Sequence, residues 1–185
     1  MNKRRSKGDE TMAKKARWIL GLGLCLVTAS AGAADAQRFS GTWEYAGGEE
    51  EAKTRRAAVD KATASMNRMM RGKARSRLGN QAVPEHTMKL SVEGKVVVLV
   101  RGEKSVSLVL GGEPVRVSEK GRNGLLSIRR EKDALILVSE GDQGQRTTTF
   151  RLSESGEELT LHVRMTGRRL SAPLVFEAPY RRLGA

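Results

Sequence analysis

The chain has 185 residues, a length typical of one domain, and its 34 basic and 21 acidic residues give a net charge of +13. Its 38% hydrophobic content allows a buried core, whereas 4% aromatic content argues against a broad aromatic binding surface. One cysteine, Cys25, cannot form a disulfide within the chain, and two histidines are too few for most histidine-based metal sites. We therefore expect no metal and no other cofactor.

Residues 1–36 have the order of a secretory signal peptide. A basic stretch with Lys14, Lys15 and Arg17 precedes an apolar run of twelve residues, 18–29, and small residues follow that run. The pattern predicts export to the periplasm or the outside of the cell. An uncleaved membrane anchor is the alternative, but twelve apolar residues fall short of the roughly 20 that a spanning helix needs.

Small residues at Ala34 and Ala36 predict cleavage before Gln37, and a cut before Ala34 is the alternative. Met12 is a candidate start, because residues 12–36 form a complete leader alone. Residues 1–36 hold seven basic and three acidic residues, so the remainder keeps a net charge of +9. That charge favours anionic partners such as a membrane surface or polysaccharide, and export argues against nucleic acid.

From residue 84 onward, apolar and polar residues alternate, which is the period of half-buried β-strands. About ten short strands recur at a spacing of roughly 8–12 residues, with turn residues between them. Connections this short force antiparallel neighbours, and a long meander avoids open edges by closing on itself. We predict a mainly β protein with one domain at 37–185, an antiparallel up-and-down barrel of about 8–10 strands.

A helical insertion at 49–79 separates the first strand, at 39–45, from the second. The spacing of Val59, Ala62 and Met66 predicts one long amphipathic helix, with Gly72 as a candidate break. Acidic residues at its start and basic residues near its end suit the helix dipole.

The segment Phe39-Ser40-Gly41-Thr42-Trp43 resembles the opening of lipocalins and fatty-acid-binding proteins, whose first strand carries Gly-x-Trp. The resemblance implies that Trp43 plugs the closed end of the barrel and that Gly41 permits a close backbone approach there. It also implies that a basic residue near the C-terminus, Arg181 or Arg182, packs on the Trp43 ring. In fatty-acid-binding proteins a helical lid lies between the first two strands, where this chain has its insertion.

Fatty-acid-binding proteins hold a carboxylate with two arginines and a tyrosine, the last pair as Arg-x-Tyr in the final strand. Tyr180 matches the tyrosine, but Ala178 stands two residues before it and Pro179 is expected to interrupt the strand. The resemblance therefore does not carry this carboxylate site over to the chain.

Several side chains are nevertheless candidates for contact with a ligand. Trp43 lines a cavity or plugs the core, and the methionines form the inner face of a lid or only the roof of the barrel. Thr149, His162 and two arginines occupy the polar phase of late strands, where they grip an anionic head group if they face inward and meet solvent if they face outward. The candidate ligand-binding residues are Trp43, Met66, Met69, Met70, Arg151, Arg164 and Tyr180.

The favoured function is an exported, monomeric protein that binds a small apolar or amphipathic ligand, such as a lipid, in a barrel under a helical lid. The alternative is a basic envelope protein without a pocket, in which the run 68–77 docks on anionic lipid or another partner. An enzyme ranks third, since no nucleophile motif, paired carboxylates or zinc spacing is present and no catalytic residue can be named.

Overall fold

A computed structural model describes residues 35–119 and 122–184. The predicted leader, with Met12, Cys25 and Ala34, lies outside the described residues. Within them, ten strands and two longer helices follow a short helical turn at 35–37. In chain order they are β1 (Gly41–Tyr45), α1 (Glu49–Ala62), α2 (Arg68–Ala82), β2 (Thr87–Glu93), β3 (Val96–Arg101), β4 (Lys104–Val109), β5 (Val115–Glu119), β6 (Arg122–Glu131), β7 (Ala134–Gly141), β8 (Gly144–Leu152), β9 (Glu158–Gly167) and β10 (Leu174–Leu183).

The strands form one antiparallel sheet in the order β4-β3-β2-β1-β10-β9-β8-β7-β6-β5. The first strand pairs with both β2 and β10, which brings the first and last strands of the sheet together. Strands β4 and β5 stand at the ends of the sheet, and Leu110, just after β4, bridges Ile128 of β6. The predicted up-and-down barrel is therefore confirmed, and it is nearly closed.

Strand alternation decides which side chains fill the barrel. In β2, Met88, Leu90 and Val92 are buried while the alternating Thr87 and Lys89 are exposed, as the period of two requires. Most other strands contribute in the same way to one continuous core, whereas the first five residues of β7 are all buried. Its largest fully buried side chains include Trp43, Phe150, Met88, Leu90, Leu135, Leu159 and Leu174.

One end of the barrel is sealed by the segment before β1. Trp43 is completely buried, and its indole nitrogen donates a hydrogen bond to the carbonyl of Phe39 at 3.1 Å. Arg182 lies over the indole, with Cζ 4.3 Å from the ring centroid, and donates to the carbonyls of Ser40, Arg38 and Gly156. Of the two candidate arginines the structure thus places Arg182 on Trp43.

Ala36 is also completely buried in this closed end, and Asp35 pairs with Arg130 of β6 at 2.9 Å. Both residues precede Gln37, the residue at which the favoured cleavage would begin the chain. A chain beginning at Ala34 would keep both contacts.

The insertion folds as two helices, as the candidate break suggested, but the break lies at 63–67 and Gly72 lies inside α2. Thr63 ends α1, and its hydroxyl donates to the carbonyl of Val59 at 3.0 Å. Asn67 begins α2 by accepting a hydrogen bond from the Met70 amide at 2.9 Å, as an N-cap residue does. Neither described helix is long and apolar enough to cross a membrane.

Gly41 and Gly72 give a matched pair of glycine substitutions with opposite expected signs. Gly41 has a φ of 156°, and a Cβ there would collide with the guanidinium of Arg182. Gly72 sits in a helix with nothing within 4 Å of a Cβ. We expect Gly41→Ala to lower the free energy of unfolding by about 1–3 kcal/mol and Gly72→Ala to raise it by about 0.5–1 kcal/mol. Urea unfolding followed by circular dichroism measures both, and equal effects would contradict the close approach at Gly41.

Candidate functional site

Two arginines occupy inward positions of the barrel. Arg101, the last residue of β3, lies in register with the buried Met88 and in phase with Val97 and Leu99. Arg146 of β8 lies in phase with the buried Thr148 and Phe150. Both lie near the rim where β1 leaves for the helices and β2 begins, which we call the helical rim. Alternation therefore points two cationic side chains into an otherwise apolar interior.

Three nitrogens of these two guanidinium groups lack hydrogen-bond partners. Nε and one terminal nitrogen of Arg101, and Nε of Arg146, are shielded from solvent and have no hydrogen-bond partner. The remaining contact of Arg146 is a hydrogen bond from Nη1 to the carbonyl of Gln81, in the last turn of α2, at 3.2 Å. Buried charged donors without acceptors are costly, so their presence needs a structural or functional reason.

Tyr180 of β10 is the third polar group of this interior. Its hydroxyl donates to the main-chain carbonyl of Glu85, between α2 and β2, at 3.0 Å. Its ring packs edge-on against Tyr45 of β1, its register partner, with centroids 5.8 Å apart. Arg101, Arg146 and Tyr180, which we call the interior cluster, thus come from three separated strands and meet beside the segment that joins the helices to β2.

A second polar group fastens α1 to the barrel. The Glu51 carboxylate pairs with the Arg55 guanidinium one turn later and accepts a hydrogen bond from the Tyr45 hydroxyl. Both charged side chains are largely buried, at 17% and 14% exposure. Because Glu51 and Arg55 neutralise each other, this group adds no net charge to the interior.

Burial also sets the proton affinities of the interior cluster. Together with the neighbouring charge of Arg101, it lowers the pKa of Arg146 to about 10. Burial likewise lowers the pKa of Arg101, and it raises the pKa of Tyr180 to about 12. All three shifts have burial as their first cause, which fits inward side chains in a low-dielectric space.

Titration of the two tyrosines in the chain tests this burial directly. Burial raises the pKa of Tyr45 as well, so the folded protein should show little tyrosinate absorbance near pH 10.0, the ordinary pKa. The unfolded chain ionises there, so Tyr180 lowers the stability of the fold as pH rises from about 10 towards 12. Arg146 raises the stability of the fold over the same pH range, because its lowered pKa lets the folded protein lose this buried charge before the unfolded chain does. The measurement is tyrosinate absorbance as a function of pH, in water and in urea, with Tyr180→Phe as the control. Coincident titration curves in water and in urea would contradict the burial of the tyrosines.

The arginines suggested by the sequence lie elsewhere. Arg151 and Arg164 are exposed on the outer face of β8 and β9, opposite in phase to the buried Phe150 and Val163. Thr149 and His162 share that outer phase, and the imidazole Nδ1 of His162 lies 3.4 Å from the Glu177 carboxylate. Arg151 and Arg164 therefore cannot line the interior, and the alternative of a solvated outer face describes them.

The methionines suggested as the inner face of a lid also point away from the barrel. Met69 is 84% exposed and Met70 45% exposed, while Met66 lies half-buried in the break between the helices. Because α1 ends at Ala62 and α2 begins at Arg68, Val59 and Met69 belong to different helices. Their spacing in the sequence therefore does not place them on one helix face. The inward side of α2 instead carries Leu78 and the buried Ala82.

Pro179 does not interrupt β10, contrary to expectation. Its carbonyl accepts from the Ala46 amide at 2.9 Å, on the side of the strand that faces β1. The missing N–H would point to that same side, just beyond Tyr45, where β1 ends. The position lies just past the end of β1, where the loss of one main-chain donor is tolerated.

Known metal and enzyme arrangements do not add to this site. Among the residues in 35–119 and 122–184, no three His, Cys, Asp or Glu side chains gather to hold a metal ion. Two surface depressions are lined by Arg151, His162 and neighbours in one case, and by Gln37, Arg182 and neighbours in the other. Both lie outside the barrel interior.

No protein-family model and no curated protein matches the chain by sequence. Solved structures do match. The REP1-NXSQ fatty acid transporter is 16% identical, with 83% of this chain and 99% of that chain covered and a TM-score of 0.50. A secretary abundant heat soluble (SAHS) protein from Ramazzottius varieornatus is 9% identical, with 80% and 96% covered and a TM-score of 0.52.

At such identities the likeness concerns the fold alone. Both matches cover nearly the whole of the other chain, so the correspondence includes the barrel and its helices rather than a fragment. The chain has the fold of the fatty-acid-binding and lipocalin-like β-barrel proteins.

Proposed function

We propose that the protein binds a small amphipathic molecule inside the barrel, with an anionic head group at the interior cluster and an apolar tail among the core side chains. The observation that carries the proposal is the pair of buried guanidinium groups, Arg101 and Arg146, whose inward nitrogens have no acceptor. A bound anion would supply those acceptors through charge-assisted hydrogen bonds, the strongest kind in proteins.

The surroundings of the cluster suit such a ligand. The core beyond the arginines is formed by apolar side chains, including Leu99, Phe150 and Leu161, among which an apolar tail would have to insert. Arg146 and Tyr180 both bond to the segment at 81–85, so the cluster lies directly under the helices. Entry between the helices and the rim would bring the head group to rest last, beside the two guanidiniums. One of the matched structures is a fatty acid transporter, which supports the same class of ligand.

The test is displacement of a fluorescent fatty acid by laurate from protein first stripped of bound lipid. Arg146→Gln should weaken laurate binding about tenfold to a hundredfold, the loss expected for one set of charge-assisted hydrogen bonds. Arg151→Gln is the matched control, because Arg151 lies on the same strand but faces solvent. No binding by the unaltered protein, or equal losses in the two variants, would overturn the proposal.

We propose further that the protein does this work outside the cytoplasm. Support comes from the order of basic, apolar and small residues at 12–36. Fusion of residues 1–40 to a reporter enzyme active only after export tests the leader, with Leu20→Arg and Leu24→Arg as the disabled control. A reporter retained in the cytoplasm would overturn this part alone.

A second candidate function, contact with an anionic membrane surface, is favoured by the outer face of α2. That helix carries five basic residues and no acidic one, and Met69 and Met70 are exposed beside them. Apolar side chains next to basic ones suit the interface of an anionic bilayer, where each basic residue contributes on the order of 1 kcal/mol.

Sedimentation with vesicles of anionic phospholipid tests this candidate. The double variant Lys73→Glu and Arg77→Glu should reduce vesicle binding about tenfold or more, and added salt should do the same. The control double variant Lys89→Glu and Lys95→Glu makes the same charge change on exposed positions of the β2–β3 hairpin. Equal binding by both double variants would contradict a specific role for α2.

A further inference from the structure

We infer that the head group of the ligand carries two negative charges and belongs to the class of phosphate monoesters with an apolar tail. The inference rests on the proposed function and concerns the charge that the interior cluster is built to match. Arg101 and Arg146 bring two positive charges into one shielded space, and neither forms an ion pair with a described carboxylate. One monoanionic head group would leave one of the two charges uncompensated.

The other polar groups near the cluster are already engaged. The Glu51 carboxylate is held by Arg55 and Tyr45, so it does not offset a third cation. The Tyr180 hydroxyl gives its hydrogen to the Glu85 carbonyl. Glu85 is exposed and its carboxylate lies over Gly102 at the surface, from where it offsets part of the charge of Arg101 without forming an ion pair with it. An excess of positive charge from the two guanidiniums therefore persists inside the barrel.

A phosphate monoester fits this excess in charge and in geometry. It has three terminal oxygens and passes from one to two negative charges at a second pKa of about 6. Each guanidinium is a planar fork that can donate two parallel hydrogen bonds to phosphate oxygens. Two arginines on different strands can thus share one phosphate, whereas a carboxylate has only two oxygens and one charge to divide between them.

The experiment compares decyl phosphate with decyl sulfate, which have the same tail and a similar tetrahedral head group. The sulfate keeps one charge at every pH, whereas the phosphate gains its second between about pH 5 and about pH 8. Calorimetry or probe displacement at both pH values gives the ratio of the two affinities. Because the two ligands share their tail and the shape of their head group, the change in this ratio with pH reports the second charge of the phosphate.

We expect the two ligands to bind within about twofold of each other at pH 5, and the phosphate to bind about tenfold more tightly at pH 8. Arg101→Gln should remove that preference while retaining sulfate binding, and Arg151→Gln should leave it intact. Equal affinities at pH 8 in the unaltered protein would overturn the inference even if Arg101→Gln does not fold. Binding of laurate and decyl sulfate would then leave the proposed function standing, whereas no binding of any of the three would remove both.

Discussion

Replacing Trp43 by alanine will lower the free energy of unfolding by about 3–5 kcal/mol, the largest single effect expected in this chain. The indole is completely buried, so its removal leaves a cavity at the closed end of the barrel. It also leaves the Phe39 carbonyl without its donor and the guanidinium of Arg182 without the ring beneath it. Urea unfolding should be followed by circular dichroism, because Trp43 is the sole tryptophan after residue 36.

Three further variants separate the loss of apolar volume at Trp43 from the loss of the contact with Arg182. Trp43→Phe keeps most of the apolar volume and should cost clearly less than alanine. Arg182→Ala removes the cation and its bonds to three carbonyls, whereas Arg181→Ala alters the neighbouring exposed side chain and should change stability by less than about 0.5 kcal/mol. If Arg181→Ala and Arg182→Ala cost the same, the stacking on Trp43 does not hold the closed end together.

Arg101→Met and Arg146→Met will each raise the free energy of unfolding of lipid-free protein, by about 1–3 kcal/mol. Both guanidiniums hold shielded nitrogens without partners, so a side chain of similar length without the charge removes that penalty. The same substitutions will weaken binding of an anionic amphiphile. The two arginines thus lower the stability of the lipid-free fold while they provide the binding site for the ligand.

Arg151→Met is the comparison for this second prediction, because an exposed arginine carries no such penalty and should change stability by less than about 0.5 kcal/mol. Chemical denaturation of all three variants, each stripped of lipid, gives the result. Loss of stability in both interior variants would mean that the two guanidiniums have partners in solution, and it would remove the basis for an anion site.

The barrel was open to prediction from sequence because the alternation of apolar and polar residues is local. In each strand after residue 84, a few alternating residues are enough to identify the face that points inward. Short turns between the strands then fix their antiparallel order. The resemblance of the Gly-x-Trp segment predicted in addition that Trp43 lies at a closed end of the barrel, against an arginine from the last strand, where the structure places Arg182. The position of the helix break was not predictable from spacing, because Asn67 caps a new helix only once the chain has turned at Thr63.

Tyr180 of the interior cluster was a candidate from the sequence, whereas Arg101 and Arg146 were not, although a local signal for them existed. Arg101 continues the inward phase of Val97 and Leu99, and Arg146 precedes the inward Thr148 and Phe150 at the same spacing. A basic residue on the apolar phase of a strand is the mark of an inward charge. The candidates chosen from the sequence were instead Arg151 and Arg164, basic residues on the polar phase of late strands. The known carboxylate site of fatty-acid-binding proteins also directed the search to an arginine in the last strand. The meeting of β3, β8 and β10 depends on the closure of the sheet, which no short segment reveals.

The pairing of β1 with β10 has a consequence for how the protein is made. Arg182 bonds to the carbonyl of Ser40, 142 residues earlier in the chain, so the barrel cannot close until residues 180–183 have left the ribosome. Contacts this distant in sequence are slow to form, since a long loop must be ordered first. Until then β1 presents an unpaired edge that other strands can join. Synthesis that stops before Tyr180 would leave β1 without the partner that closes the barrel.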